Sequence, residues 1–331
     1  MKRDTLVSIG EALIDFMPDR AGCDFKDVST FSPKIGGAPA NVCGAYAKLG
    51  GRARMLTQIG DDPFGHKILD ELRDACIDTA SIRLTDEANT ALAFVSSGTD
   101  GERTFSFYRK PSADMLYKPE YVTDETMADA YALHFCSVSL GDFPMKRAHT
   151  AAIERASAQG SIVSFDPNLR FPLWNDRKAL HDTVLEFLPL ADIVKVSDEE
   201  LEFLTGTDDI RKALPRLLVG SVKLVLFTLG KNGATALTAG HEVHVDGLPG
   251  KAVDTTGAGD GFAGSFLWML HRKGVQRDGL AALSEETLLE CLRFSNAFCT
   301  RSVQKRGAIA SYPSLGEVFA DLKTMVDKET V

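Results

Sequence analysis

The chain has 331 residues, 44% of them apolar and 25% charged, the balance of an ordinary globular protein able to bury a large core. Its net charge of −9 and pI near 5.3 exclude the basic footprint of a nucleic-acid binder or of a protein held to an anionic membrane. A phosphate-bearing ligand would therefore have to be held by local donors and a metal.

The opening Met1-Lys2-Arg3-Asp4 passes at once into the strand-like Thr5-Leu6-Val7-Ser8-Ile9-Gly10, too short and too soon polar for a signal peptide. No apolar run in the sequence approaches a membrane span. Six cysteines, at 23, 43, 76, 136, 291 and 299, lack zinc-ligand spacing and read as free, structurally buried thiols of a reducing compartment. A cytoplasmic protein is expected.

Strand-like and helix-like segments then alternate, the pattern of a mostly parallel sheet covered by helices, so the fold class is α/β. Strands are predicted over residues 6–9, 54–59, 132–136, 161–165, 193–196 and 224–229, and helices over 38–49, 63–75, 145–158, 179–188, 199–204, 262–270 and 286–301. Residues 12–31 and 90–109 break this rhythm with short alternating runs such as Arg103-Thr104-Phe105-Ser106-Phe107-Tyr108, and Gly98-Thr99-Asp100-Gly101 reads as a hairpin turn. They predict a small β-sheet projecting from the main one as a lid.

Asp15 follows the first strand and could accept hydrogen bonds from adjacent hydroxyls. In Ile35-Gly36-Gly37-Ala38-Pro39-Ala40-Asn41 a glycine pair lets a ligand touch backbone, and Asn41 offers both donor and acceptor, which suits a neutral polyol. A plain loop-to-helix junction explains the same residues. Asp61-Asp62-Pro63 reads as a turn and helix cap. His241 and His244 fall on an alternating strand, where residues three apart face opposite ways, so they predict surface histidines rather than a metal pair. Only residues 327–331 look like a frayed tail.

The most informative stretch is Asp254-Thr255-Thr256-Gly257-Ala258-Gly259-Asp260-Gly261-Phe262-Ala263-Gly264, which sets a carboxylate inside a glycine-rich helix start. Converging N–H groups and the positive end of the macrodipole suit a phosphate, and Asp260 among them suits a base. Gly259-x-Gly261-x-x-Gly264 also satisfies the dinucleotide fingerprint, but the preceding Lys251-Ala252-Val253-Asp254 is polar and follows the turn Leu248-Pro249-Gly250 instead of a buried strand. A purely structural cap by Asp254 or Thr255 is the third reading.

The pairing of Gly36-Gly37-Ala38-Pro39-Ala40-Asn41 with Asp254-Thr255-Thr256-Gly257-Ala258-Gly259-Asp260 resembles the ribokinase-like, or PfkB, carbohydrate kinases over essentially the whole chain. The resemblance implies one domain, residues 1–331, with a ribokinase-like three-layer α/β/α fold, a mostly parallel central sheet and a lid from about 12–35 and 90–118. It implies ATP as phosphoryl donor, Asp260 as base toward the sugar hydroxyl, and the amides of Gly257, Ala258 and Gly259 as anion hole. No G-x-x-x-x-G-K-[ST] run is present, so the helix start serves in its place. In Lys195-Val196-Ser197-Asp198-Glu199-Glu200, Glu200 takes the family's glutamate place for Mg2+, directly or through water, while Ser197 stands where asparagine is usual, on the nucleotide side. An acidic helix start complementing its dipole is the rival reading of Glu200.

By the same resemblance Thr228, Gly230, Lys231 and Gly233 form a nucleotide-side loop, and Asn296 and Ala308 lie in segments that wall the adenine. Potassium activation would involve the loops around Asp254, Thr256 and 302–311. Lid pairing implies a homodimer. For the acceptor, Asp15, Gly36, Gly37 and Asn41 are joined by Asp166 and Arg170 after the fourth strand and by Arg109 at the end of the lid. Tyr108-Arg109-Lys110-Pro111-Ser112-Ala113-Asp114-Met115 is most similar to fructokinases. Two arginines could instead grip the carboxylate of 2-keto-3-deoxygluconate, but Phe94 and Phe107 stand where that kinase subfamily uses tyrosine, so fructose is preferred. A non-catalytic sugar- or nucleotide-sensing relative is the alternative from another class.

Overall fold

The computed structural model describes residues 3–20, 22, 25–97 and 103–329. The predicted Gly98–Gly101 turn lies outside them. In chain order the elements begin with β1 (Thr5–Ile9), β2 (Leu13–Pro18), β3 (Phe31–Gly36), α1 (Ala38–Lys48), β4 (Arg52–Gly60) and α2 (Pro63–Asp74). They continue with β5 (Ile77–Asp78), β6 (Ile82–Thr85), β7 (Leu92–Ser97), β8 (Arg103–Tyr108), α3 (Asp124–Met127), β9 (Ala130–Cys136), α4 (Pro144–Ala158), β10 (Ile162–Asp166) and α5 (Arg177–Phe187). Then come β11 (Ile193–Ser197), α6 (Asp198–Thr205), α7 (Ile210–Leu217), β12 (Leu224–Thr228), β13 (Ala234–Leu237), β14 (Glu242–Val245), α8 (Ala258–Arg272), α9 (Glu285–Ser302) and α10 (Leu315–Glu329).

The main sheet has the order β14-β13-β12-β11-β10-β9-β1-β4-β5, parallel from β12 through β4 and antiparallel at β13 and β14, with β6 also on β4. Its central strands are buried on both faces, as parallel strands under crossover helices must be. Alternate residues serve opposite cores: Leu6, Ala132, Ile193 and Leu224 face α1, α8 and α9, whereas Val7, Leu133, Val194 and Val225 face α4 to α7. That is the three-layer α/β/α arrangement. A second sheet, β3-β2-β7-β8, stands apart from it, built from the two stretches whose short alternating runs broke the helix–strand rhythm.

The direction in which strands are added to the sheet reverses between β1 and β9, although the two run parallel. After β1 the chain forms β2 and β3 of the small sheet and α1 and returns as β4 on one side, whereas β9 to β12 progress on the other. Such a switch point opens a crevice at the carboxyl ends of the strands.

Three differences from the sequence reading have physical causes. Helix α8 begins at Ala258 rather than 262, because the glycines of its first turns hide the apolar periodicity. Helix α7 is absent from the predicted helices, because it is short and carries Pro215, a residue that usually ends a helical reading. Helix α10 continues to Glu329, past the predicted start of a tail at 327, and residues 330–331 lie outside the described ones.

Candidate active site

The carboxyl ends of β1, β9, β10 and β11, the starts of α1 and α8, and the small sheet enclose a cavity of about 650 Å³. Of the sequence-predicted residues, Asp15, Gly37, Asn41, Asp166, Arg170, Ser197, Glu200, Thr256, Gly257, Ala258, Gly259 and Asp260 line it.

Asp260 sits in the first turn of α8, 9% exposed, its carboxyl pushed up to about 6 by burial, with Asp166 adding to the rise and Asn41, Lys195 and Arg170 opposing it. Asn41 donates from Nδ2 to Asp260 Oδ2 over 2.8 Å. Gly257 caps α8 in the left-handed region at φ 72°, and a methyl there would meet Ala308 Cβ at 2.5 Å, so the turn needs glycine. Asp254 and Thr255 do not cap α8. Asp254 accepts from Thr256 N–H and from Gly307 N–H at 2.9 Å each, joining two loops.

Ala258 N–H donates to Thr255 O at 3.2 Å, so it is not a free member of an anion hole. Among the described residues no hydrogen bond engages the N–H groups of Gly257, Gly259 and Asp260. They leave the helix start as a cradle of backbone donors.

At the end of β10, Asp166 Oδ1 accepts from Asn168 N–H and Oδ2 from Lys195 Nζ, at 3.1 and 2.7 Å. Lys195, on the neighbouring β11, is 6% exposed and lines the cavity, and a methyl placed on Gly259 would come within 3.3 Å of Nζ. Asp166 and Glu200 raise its pKa despite the burial that opposes its charge. Glu200 accepts Leu169 N–H through Oε1 at 2.8 Å and Ser197 N–H through Oε2 at 3.0 Å, tying the β10 exit to the start of α6. The structural reading of Glu200 thus describes its present contacts, and the cavity wall it forms is compatible with the metal role. Among the described residues no group of three or more His, Cys, Asp or Glu side chains is placed to enclose a metal.

Arg109 lies apart from the residues that line the cavity. It is 7% exposed, paired with Asp114 and donating to Val138 O at 2.9 Å and Ser139 Oγ at 2.9 Å. A guanidinium at the root of β8 is neutralised more completely by these fixed acceptors than it would be by a ligand in a wet cavity. Both partners of this anchor, Arg109 and Asp114, fall within Tyr108–Met115. Arg170 alone of the two arginines faces the cavity. Phe107 and Phe105 line it, whereas Phe94 stacks on Phe16 at 4.6 Å in an aromatic group away from it.

The predicted nucleotide residues form a second tier. Thr228 pairs in register with Ser197 at the strand ends, and Gly230, Lys231 and Gly233 make the turn that follows, beyond the cavity lining. Asn296 donates from Nδ2 to Val245 O and Asp246 O at 3.0 and 3.2 Å, which ties α9 to the end of β14. Ala308 packs against Gly257. Gly36 lies outside the lining and is pressed against the Asp15 carboxylate. His241 and His244 have separate partners, Glu285 and Thr235.

Sequence reasoning passed over Glu11 and Lys195. Glu11, 2% exposed after β1, accepts Ala38 N–H at 3.1 Å and Ser139 Oγ–H at 2.8 Å, and burial raises its pKa. A lysine inside the apolar run Ile193-Val194-Lys195-Val196 was the available signal, since a charge on a doubly buried strand needs a partner.

A family model described as pfkB family carbohydrate kinase matches residues 3–315. Fructokinase-1 of Zea mays is 40% identical over 318 residues, 96% of this chain and 97% of that protein. Among solved structures, a fructokinase with bound ATP from Xylella fastidiosa is 34% identical with a TM-score of 0.90, covering 98% of this chain and 99% of that one. A fructokinase from Vibrio cholerae O395 in a fructose, ADP and calcium ion bound form is 32% identical with a TM-score of 0.83, covering 96% and 98%.

Proposed function

The chain belongs to the pfkB carbohydrate kinase family, and we propose that it transfers the γ-phosphoryl group of ATP to the 6-hydroxyl of D-fructose, with Asp260 as general base. One observation carries this reading: a carboxyl held near pKa 6 and the unengaged amides of Gly257, Gly259 and Asp260 open from one helix start onto one cavity. The base takes the proton of the attacking hydroxyl while the amides receive charge on the transferring phosphoryl, which is what a loose transition state needs.

Asp15, Gly37, Asn41, Asp166 and Arg170 hold the acceptor, and closure of the small sheet through Phe105 and Phe107 excludes water. The nucleotide lies toward Ser197 and Thr228, with Gly230, Lys231 and Gly233 beyond and Ala308 behind the amide cradle. Asn296 serves by fixing the 245–246 backbone on that side. The donors present fit a magnesium ion carried with the nucleotide: Glu200 retains lone pairs beside two N–H contacts and would reach the metal through water. Bound there, the ion neutralises phosphate charge. A potassium ion would lie between the Asp254–Thr256 loop and residues 302–311.

Fructose is favoured over 2-keto-3-deoxygluconate because Arg109 is spent on Asp114, leaving Arg170 alone to meet an acceptor carboxylate. The fructose named with the Vibrio cholerae structure supports the same choice. The exposed aromatics Phe25 and Tyr108, beside Phe31 and Phe94, support pairing of two chains through the small sheet. No helix among the described residues is long and apolar enough to cross a membrane.

The test is ADP release with fructose, 2-keto-3-deoxygluconate, ribose and an aminoimidazole riboside as acceptors. Fructose is expected to give the highest kcat/KM. A higher value for the keto acid would transfer the assignment, and no ADP release with any acceptor would sink it.

A further inference from the structure

Resting on the reading of Asp260 as base, we propose that Asn41 is its positioning residue: the Asn41 amide clamps Asp260 Oδ2 and so leaves Oδ1 as the oxygen that takes the proton from the acceptor hydroxyl.

The clamp is built from two helix starts. Asn41 lies in the first turns of α1, its own N–H bonded to Gly37 O at 2.9 Å, and Asp260 in the first turn of α8. The helices are in close contact where Gly264 meets Val42 O, so the two side chains are carried on one packed unit rather than on loops. The Nδ2 to Oδ2 distance is 2.8 Å and both residues are buried. Among the described residues no other hydrogen bond fixes this amide, since Asn41 Oδ1 is buried and has no partner there. The opposite amide orientation would set Oδ1 against the carboxylate, so the donor orientation is the one that an ionised Asp260 selects.

A carboxylate has two oxygens and two faces, and proton abstraction needs one of them directed at the hydroxyl. An Nδ2 donor on Oδ2 stops the carboxylate from turning and stabilises its charged form. The other groups bearing on Asp260 come from the surrounding strands and helices. They are Asp166 and Arg170 from β10 and its exit, Lys195 from β11, Cys136 from β9, Cys299 from α9 and Tyr312 beyond it. Among the described residues, the Asn41 amide is the one of these groups that makes a direct hydrogen bond to the carboxylate.

If Asn41 were only an acceptor ligand, its loss would raise the KM for fructose and leave the ionisation of the base where it was. The clamp makes another demand. The experiment compares wild type, Asn41→Leu, Asn41→Ser and Asp260→Asn in single-turnover phosphoryl transfer from ATP to saturating fructose between pH 5 and 9.5, with folding checked by a thermal melt. Both Asn41 variants should move the acid limb of the rate up by about one pH unit. Both should lose about tenfold to a hundredfold in rate at pH 7 and regain part of it at pH 9. Either variant that folds decides the matter. An acid limb at the wild-type pH overturns the clamp, even if fructose KM rises. Full turnover by Asp260→Asn would instead overturn the base, and the two failures are distinguishable.

Discussion

Lys195 Nζ lies 2.7 Å from Asp166 Oδ2, and the two side chains, on adjacent parallel strands, are nearly excluded from solvent beside the start of α8. A buried pair of this kind is costly to break from one side, since the surviving charge has no other full partner. Lys195→Met is therefore expected to lower stability by about 3 kcal/mol. Because the ammonium also borders Gly259, turnover should fall by more than the unfolded fraction explains. Urea denaturation and kcat measured on the folded fraction check both. Unchanged stability would mean that water replaces the lysine.

The pH dependence of turnover follows from Asp260. Its carboxyl, pushed up to about 6, must be ionised to accept a proton, so the rate should fall as pH drops through about 6 and level off above 7. Asp260→Asn should lose roughly 100-fold to 10,000-fold in kcat with ADP affinity largely retained. A flat rate profile from pH 5 to 8 would contradict this assignment of the base.

Stability should move the opposite way. A carboxyl whose folded pKa is raised binds protons more tightly in the folded state, so it contributes stability at acid pH that is lost as pH rises from about 4 through about 6. Asp260→Asn removes the charge and keeps the shape. It is expected to raise stability at pH 7 by roughly 1–3 kcal/mol and to show no such gain at pH 4. Melts of both proteins at the two pH values test the sign.

Much of the arrangement was legible because its signals are local. The alternating strands and helices, the runs that form the small sheet, the cap at Asp62 and the glycine-rich start of α8 follow from periodicity and backbone chemistry. What was not legible depends on distant partners. Arg109 reads from sequence as a free guanidinium at the end of a lid, and only tertiary structure brings Val138 O and Ser139 to it. Glu11 and Lys195 meet their partners across sheet and helix layers, which spacing cannot reveal. The backbone contacts of Asn296 likewise appear only when β14 is placed beside α9.

The two arginines should separate by phenotype. Arg109→Met leaves buried Asp114 without its cation, and a loss of about 3 kcal/mol is expected with only a small change in fructose KM for the folded protein. Arg170 is half-buried and faces the cavity, so Arg170→Met should change stability by less than about 1 kcal/mol. Its fructose KM should rise about tenfold or more. The reverse pattern, with Arg109 controlling KM and Arg170 controlling the melt, would restore Arg109 as the acceptor ligand.

Gly264 is a structural link between the two signature segments. A methyl there would stand 2.7 Å from Val42 O and 2.8 Å from Ala45 Cβ, both in α1, and neither a backbone oxygen nor a neighbouring Cβ can swing aside. Helix α1 must then move away from α8, at a cost of about 1–3 kcal/mol. The same movement lengthens the reach from Asn41 on α1 to Asp260 on α8, so Gly264→Ala is expected to slow phosphoryl transfer although the residue lies outside the cavity lining. The rate loss should exceed the loss of fructose affinity, since it acts on the base more than on the acceptor contacts. Thermal melts with kcat and KM for fructose measure both effects. A destabilised variant with normal kcat would show that the helices separate without disturbing the base.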